Sequence, residues 1–141
     1  MKTLISATLL TLASPLTQAA TLELPSSIWA NKVNGEAVPS YRSALPLQPG
    51  LQILELRYAE LLQLNAEDHE YVSSEPLYLS FEAKDDQTYR LQLPDLRSET
   101  EVRQFARQPY ASLRNDTGAV ESQLLTQSQL MALMARANAR F

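Results

Sequence analysis

The sequence contains no cysteine, a single histidine, a single tryptophan and three glycines. The missing cysteines exclude disulfides, thiolate catalysis, thiolate-bound metal and a lipid anchor on a lipobox cysteine. The three glycines (Gly35, Gly50 and Gly118) each fall in an expected turn, so no glycine-rich phosphate loop exists. No run of like charge occurs. The 12 basic and 16 acidic residues leave a formal charge of −4, which becomes −5 if Lys2 is removed with a leader. Such mild acidity argues against sequence-independent nucleic-acid binding, which needs a concentrated basic surface. No apolar run is long enough to span a bilayer.

The first nineteen residues read as a secretory signal. Lys2 is a short positive region, Leu4 to Leu16 an apolar one broken late by Ser14-Pro15, and Thr17 and Ala19 place small residues at the cleavage positions. The expectation is cleavage after Ala19, export to a bacterial periplasm and a soluble mature protein. Residues 20–119 then form a β-rich domain, and residues 120–141 a C-terminal helix packed on it. Roughly 120 residues can bury one core without staples.

The densest strand signal lies between Leu45 and Leu62. Gln48-Pro49-Gly50 suits a type II turn, because Pro49 pre-sets φ and Gly50 tolerates a positive φ. Beyond it Leu54, Leu56 and Tyr58 alternate with Glu55, Arg57 and Ala59, the period of a half-buried strand. Ile53 adds apolar surface outside, which implies a cover at that end. Before this stretch come a short strand from Thr21 ended by Pro25, expected at a sheet edge, and strands at Ile28–Val33 and Glu36–Val38. Asn34-Gly35 between the last two predicts a two-residue hairpin.

After it, Gln63 to Tyr71 shows no apolar period and reads as a loop. Leu77–Ala83 and Gln87–Leu93 alternate cleanly about Lys84-Asp85-Asp86, which predicts a second hairpin packed over the Leu54 face. Ser98 and Glu101 form a capping box for a short helix to about Arg107, with Val102, Phe105 and Ala106 buried. Tyr110 to Leu113 reads as a short strand. Glu121 to Ala139 has apolar residues three and four apart, which predicts an amphipathic helix, with Ser122 and Thr126 as candidate caps. The fold class expected is mainly β (α+β): a small antiparallel β-sandwich with one short helix and a C-terminal amphipathic helix.

Residues able to carry chemistry are few. His69 beside Glu67, Asp68 and Glu70 suggests a base or a metal ligand, and with Asn65 a calcium loop. Neighbours in sequence do not all converge on one ion without a specially shaped loop, and the EF-hand spacing is missing, so a solvated acidic loop is the simpler reading. Asp85-Asp86 and Glu55/Glu60 invite comparison with glycosidase carboxylate pairs. A hairpin tip and an exposed strand face account for them as well. Ser73, Ser74 and Ser98 lack a nucleophile-elbow context. Trp29 and Tyr78 are candidate binding residues, since aromatic faces stack on sugars and peptides, although core packing and cross-strand pairs use the same residues. No catalytic residue, cofactor or metal ligand is assigned, and a non-enzymatic protein is expected.

Six segments occur in order: TLELP from Thr21, VNG from Val33, LQPGLQILELRY from Leu47, FEA from Phe81, YRLQLP from Tyr89 and FARQP from Phe105. Together they resemble the YccT-like family of exported bacterial proteins, a group of unknown function in which some members are labelled curli synthesis inhibitors. The resemblance covers nearly the whole mature chain to about Leu113; longer members carry additional sequence where this chain closes with a helical tail. It implies an envelope protein and supplies no catalytic residues. The order of NG hairpin, PG turn and long strand also looks like small PEGA-type β-sandwiches, an analogy of fold alone. The function expected is interaction with another envelope or fibre-forming protein through an exposed strand edge. The alternatives are a glycan-binding module using Trp29 and Tyr78, or an envelope hydrolase.

Overall fold

A computed structural model describes residues 19–139. The expected signal peptide at 1–19, save its last residue, lies outside the described residues. The strands are β1 (Ala20–Glu23), β2 (Ile28–Val33), β3 (Glu36–Ala37), β4 (Ala44–Leu47), β5 (Gly50–Gln63), β6 (His69–Ser73), β7 (Leu77–Ala83) and β8 (Thr88–Gln92). Helix α1 (Glu99–Arg107) precedes β9 (Ser112–Asn115), β10 (Gly118–Val120) and β11 (Ser122–Thr126), and α2 (Gln127–Asn138) closes the order. The fold is mainly β with two helices, as the residue patterns predict.

Two sheets share one core. The first runs β10-β9-β8-β1-β4 and the second β11-β7-β5-β2-β3, with β6 added to β5. Alternation explains the packing: Leu22 of β1, Leu45 and Leu47 of β4, and Tyr89 and Leu91 of β8 point inward from one sheet. Leu54, Leu56 and Tyr58 of β5 meet them from the other, with Leu77, Leu79 and Phe81 of β7. Across the gap the Phe81 and Tyr89 rings stand 5.1 Å apart. One pairing is parallel, β1 with β8, so the first sheet is mixed rather than wholly antiparallel. Strand β1, expected at a sheet edge, is an interior strand between β8 and β4, because both of its sides are paired.

Several expectations change. β7 and β8 alternate as the sequence suggests but do not pair. Asp86, at φ 57°, turns the chain from the second sheet into the first. Likewise Pro49-Gly50 carries the chain from β4 in one sheet to β5 in the other, with Gly50 at φ 112°. The Asn34-Gly35 hairpin forms as expected, with φ 52° and 84°, and pairs Val33 with Glu36. Ile53 remains about half exposed (51%), so no element among the described residues covers it.

The stretch expected as a loop at Gln63–Tyr71 is a hairpin. β5 continues to Gln63, and β6 pairs with its last five residues. Only Val72 of β6 is buried, so no apolar alternation betrays the strand in sequence. In the tail, Ser122–Thr126 is strand β11 paired with β7, not helix. Helix α2 starts at Thr126 with a capping box and buries none of its residues. Its start is tied down: Gln127 N donates to Pro76 O, and Ser128 N and Oγ both donate to the Glu75 carboxylate.

Candidate functional site

The long strand β5 does two jobs. Its first half is a central strand, paired with β7 on one side and β2 on the other. Its last part leaves the sheet body with β6 as a two-stranded arm. Between the pairs Leu56–Leu77 and Ala59–Ser73, β5 has two residues where the facing chain has Ser74, Glu75 and Pro76. This is a one-residue bulge, placed where Pro76 has no N–H to offer. Ser74 N still donates to Tyr58 O at 3.1 Å.

The arm is held at tip and base. At the tip, Asn65 Oδ1 accepts from the N–H groups of Glu67 and Asp68 at 2.9 and 2.8 Å, an Asx-type turn. One arm face lies on α1. There Val72 is buried, and the Tyr58 ring meets Phe105 edge-on at 4.7 Å. Arg103 of α1 reaches Glu70 with two nitrogens, at 2.6 and 3.3 Å, while its Nε donates to Glu99 at 3.0 Å. The hydrogen bond first, and the charge second, hold the Glu70 carboxyl below its usual range. The same contacts push the Arg103 guanidinium upward.

The opposite edge of β5 is open along the arm. Strand β2 stops at Ile28, opposite Tyr58, and Ala59 N makes a last bond to Ser27 O at 3.1 Å. Backbone groups alternate sides along an antiparallel strand. The even positions face β6, as Leu64 N donating to Asp68 O shows. The N–H and C=O groups of Leu61 and Gln63 therefore point away from β6, and among the described residues no strand pairs with them.

A cleft of about 540 Å³ runs beside this edge. Glu60 to Leu64 line it consecutively, as an edge-on strand must. The facing wall is the link from β8 to α1, with Leu93, Leu96 and Arg97, and Val102 of α1 contributes as well. The side chain of Arg97 is bonded to Asp95 and that of Glu99 to Arg103. Glu60 has no ion-pair partner among the described residues. Close by, the Tyr58 hydroxyl is buried without a hydrogen-bond partner among the described residues. Burial, then the Glu60 charge, raise its pKa.

The chemistry-bearing residues singled out in sequence are mostly dispersed. Glu55 lies on the outer face of β5, and Glu60 belongs to the alternate set, so the two do not converge. Asp85 and Asp86 occupy the crossover between sheets. His69 is in β6 rather than a loop, while its neighbours Asp68 and Glu70 are engaged by Asn65 and Arg103. Among the described residues no three His, Asp or Glu side chains gather to hold a metal ion. Trp29 pairs with Arg57, and Tyr78 with Glu55. Both aromatics are half-buried on the outer face of the second sheet, with β5 between them. The open edge at Leu61 and Gln63 has no motif; the only signal is that β5 is apolar on both faces at Leu61-Leu62.

Comparison with known proteins gives a consistent result. A family model described as an uncharacterized protein conserved in bacteria (DUF2057) matches residues 21–138. A UPF0319 protein of Shewanella oneidensis is 32% identical over 126 residues, covering 85% of this chain and 56% of that protein. A UPF0319 protein of Shewanella baltica is 30% identical over 127 residues, covering 86% and 56%. The chain thus spans about half the length of the curated relatives it matches. No solved structure matches it.

Proposed function

The chain belongs to the DUF2057 family of uncharacterized proteins conserved in bacteria, and we propose that it is a non-enzymatic interaction protein of the periplasm. It binds an extended segment of another envelope protein by strand addition. The observation that carries this reading is the open β5 edge at Leu61 and Gln63, set beside a cleft walled in part by Leu93, Leu96 and Val102. An added strand completes the free N–H and C=O groups, and alternate side chains enter the cleft. Affinity then comes from the backbone and selectivity from every second residue. The resemblance to YccT-like proteins, some labelled curli synthesis inhibitors, supports a fibre-forming subunit before assembly as the partner, since such a chain presents unpaired strands.

The test uses the tagged, exported protein with a photo-reactive residue at Leu61 and, separately, at Asp86 on the sheet crossover. The reading expects one protein partner captured from position 61, little from position 86, and loss of capture in Gln63→Pro. Equal capture from both positions contradicts it. Mass spectrometry of the periplasmic fraction tests export, with a mature chain beginning at Ala20 expected.

A second reading has one observation in its favour. Trp29 and Tyr78 share the outer face of the second sheet, about two strand spacings apart, roughly 10 Å. A glycan chain stacking on both is retained on a polysaccharide column, and Trp29→Ala with Tyr78→Ala abolishes that retention.

A further inference from the structure

The charge of the arm narrows the partner. From Ala59 to Ser73 it carries Glu60, Glu67, Asp68 and Glu70 and no Lys or Arg. Of these four, only Glu70 has a cationic partner among the described residues, Arg103. Glu60 lines the cleft itself with its carboxylate uncompensated, while the one cation on that wall, Arg97, is already bonded to Asp95. Leu93, Leu96 and Val102 form the apolar part of the facing wall, beside Ser98 and Glu99. A strand lying along Leu61–Gln63 sends alternate side chains into this cleft, where the Glu60 carboxylate shares the face with the apolar wall, and it runs toward the acidic arm tip.

We infer that the open edge selects extended segments whose cleft-facing side chains include lysine or arginine among apolar residues, and disfavours acidic ones. This inference rests on the strand-addition reading and adds the sign of the partner's charge. Unpaired carboxylates attract a cation and repel an anion across the same few ångströms, so charge decides between strands of equal backbone geometry. Each exposed pair contributes little, but several along one strand give roughly tenfold discrimination. Salt screens it, with a Debye length of about 8 Å at physiological ionic strength.

The experiment titrates the protein with three end-blocked octapeptides, alternating valine with lysine, glutamate or threonine, at low and at high salt. The expected order of affinity is lysine, threonine, glutamate, with the lysine advantage falling about tenfold at high salt and severalfold in Glu60→Gln with Glu67→Gln. Gln63→Pro removes an outward N–H and should abolish binding; far-UV circular dichroism checks its fold. Amide shifts of Leu61 and Gln63 in the unmodified protein give an independent readout of where the peptide sits. Equal binding of all three peptides, lost in Gln63→Pro, overturns the charge inference and leaves strand addition standing. No binding by any peptide, or binding that leaves the Leu61 and Gln63 amides unmoved, overturns both.

Discussion

Arg103 of α1 grips the carboxylate of Glu70 on β6 with a two-nitrogen fork, at 2.6 and 3.3 Å, and so fixes the arm above the helix. Glu99 completes the group from the preceding turn of α1. A forked guanidinium defines orientation as well as distance. The fork therefore favours this position of the arm over α1, beside the cleft between its free edge and the β8–α1 link.

Arg103→Gln should loosen the arm while leaving the sheets intact. Glu70 is ionised at lower pH than an ordinary carboxyl because Arg103 favours its charged form. A lowered folded-state pKa means that the pair's contribution is complete above the ordinary carboxylate range and disappears as pH falls through the folded value. An NMR titration of the Glu70 carboxyl should show a midpoint below the usual value, returning to it in Arg103→Gln. An unchanged midpoint in the variant contradicts the contact.

Tyr58→Phe should not destabilise the protein. Its hydroxyl is buried without a partner among the described residues, while its ring packs on Phe105. Removing an unsatisfied buried polar group recovers about 1 kcal/mol. The urea midpoint should rise or stay level; a clear fall would mean that the hydroxyl is bonded.

Asn34→Ala should cost about 1–2 kcal/mol. The side chain donates to Gln52 Oε1 at 2.8 Å and accepts from Ile53 N at 2.8 Å. Gln52 is itself buried and donates to the carbonyls of Gln48 and Gly50. Losing Asn34 leaves a buried amide short of one partner and also removes a residue suited to a positive φ. Equilibrium unfolding in urea reads the loss, and a midpoint equal to that of the unchanged protein contradicts it.

Thr126→Ala should fray α2 by about 1 kcal/mol, because Thr126 and Gln129 form a reciprocal capping box. Helix α2 buries no residue, so its loss should not propagate. Circular dichroism should show reduced helix, with the sheet midpoint falling by no more than the cap is worth, since Thr126 also ends β11 beside Leu77.

What the residues reveal is local. Alternation in β5, β7 and β8, the Asn34-Gly35 turn and Ser98 as a cap all read correctly, because each depends on neighbours along the chain. The Glu101 carboxylate, however, accepts from Arg97 N rather than closing the box on Ser98 N. Pairing is not local. The turn at Lys84–Asp86 looks like a hairpin, yet it sends β8 to the other sheet, and alternation is the same in either case. β6 was hidden because backbone pairing with β5 rather than apolar burial makes it a strand. Leu124 and Leu125 fit a helical stripe as well as a strand, so the start of α2 was legible only from its cap at Thr126. The open edge was invisible in sequence because it arises where β2 ends against the middle of β5, a matter of registers far apart in the chain.

The most direct measurement is amide hydrogen exchange, residue by residue along the arm, with and without a bound extended peptide. The free protein should show slow exchange at Glu60 and Leu62, which face β6, and fast exchange at Leu61 and Gln63. With peptide bound, Leu61 and Gln63 should become protected while Glu60 and Leu62 change little. Protection of Leu61 and Gln63 in the free protein, or none gained under saturating peptide, would contradict an edge that awaits a strand.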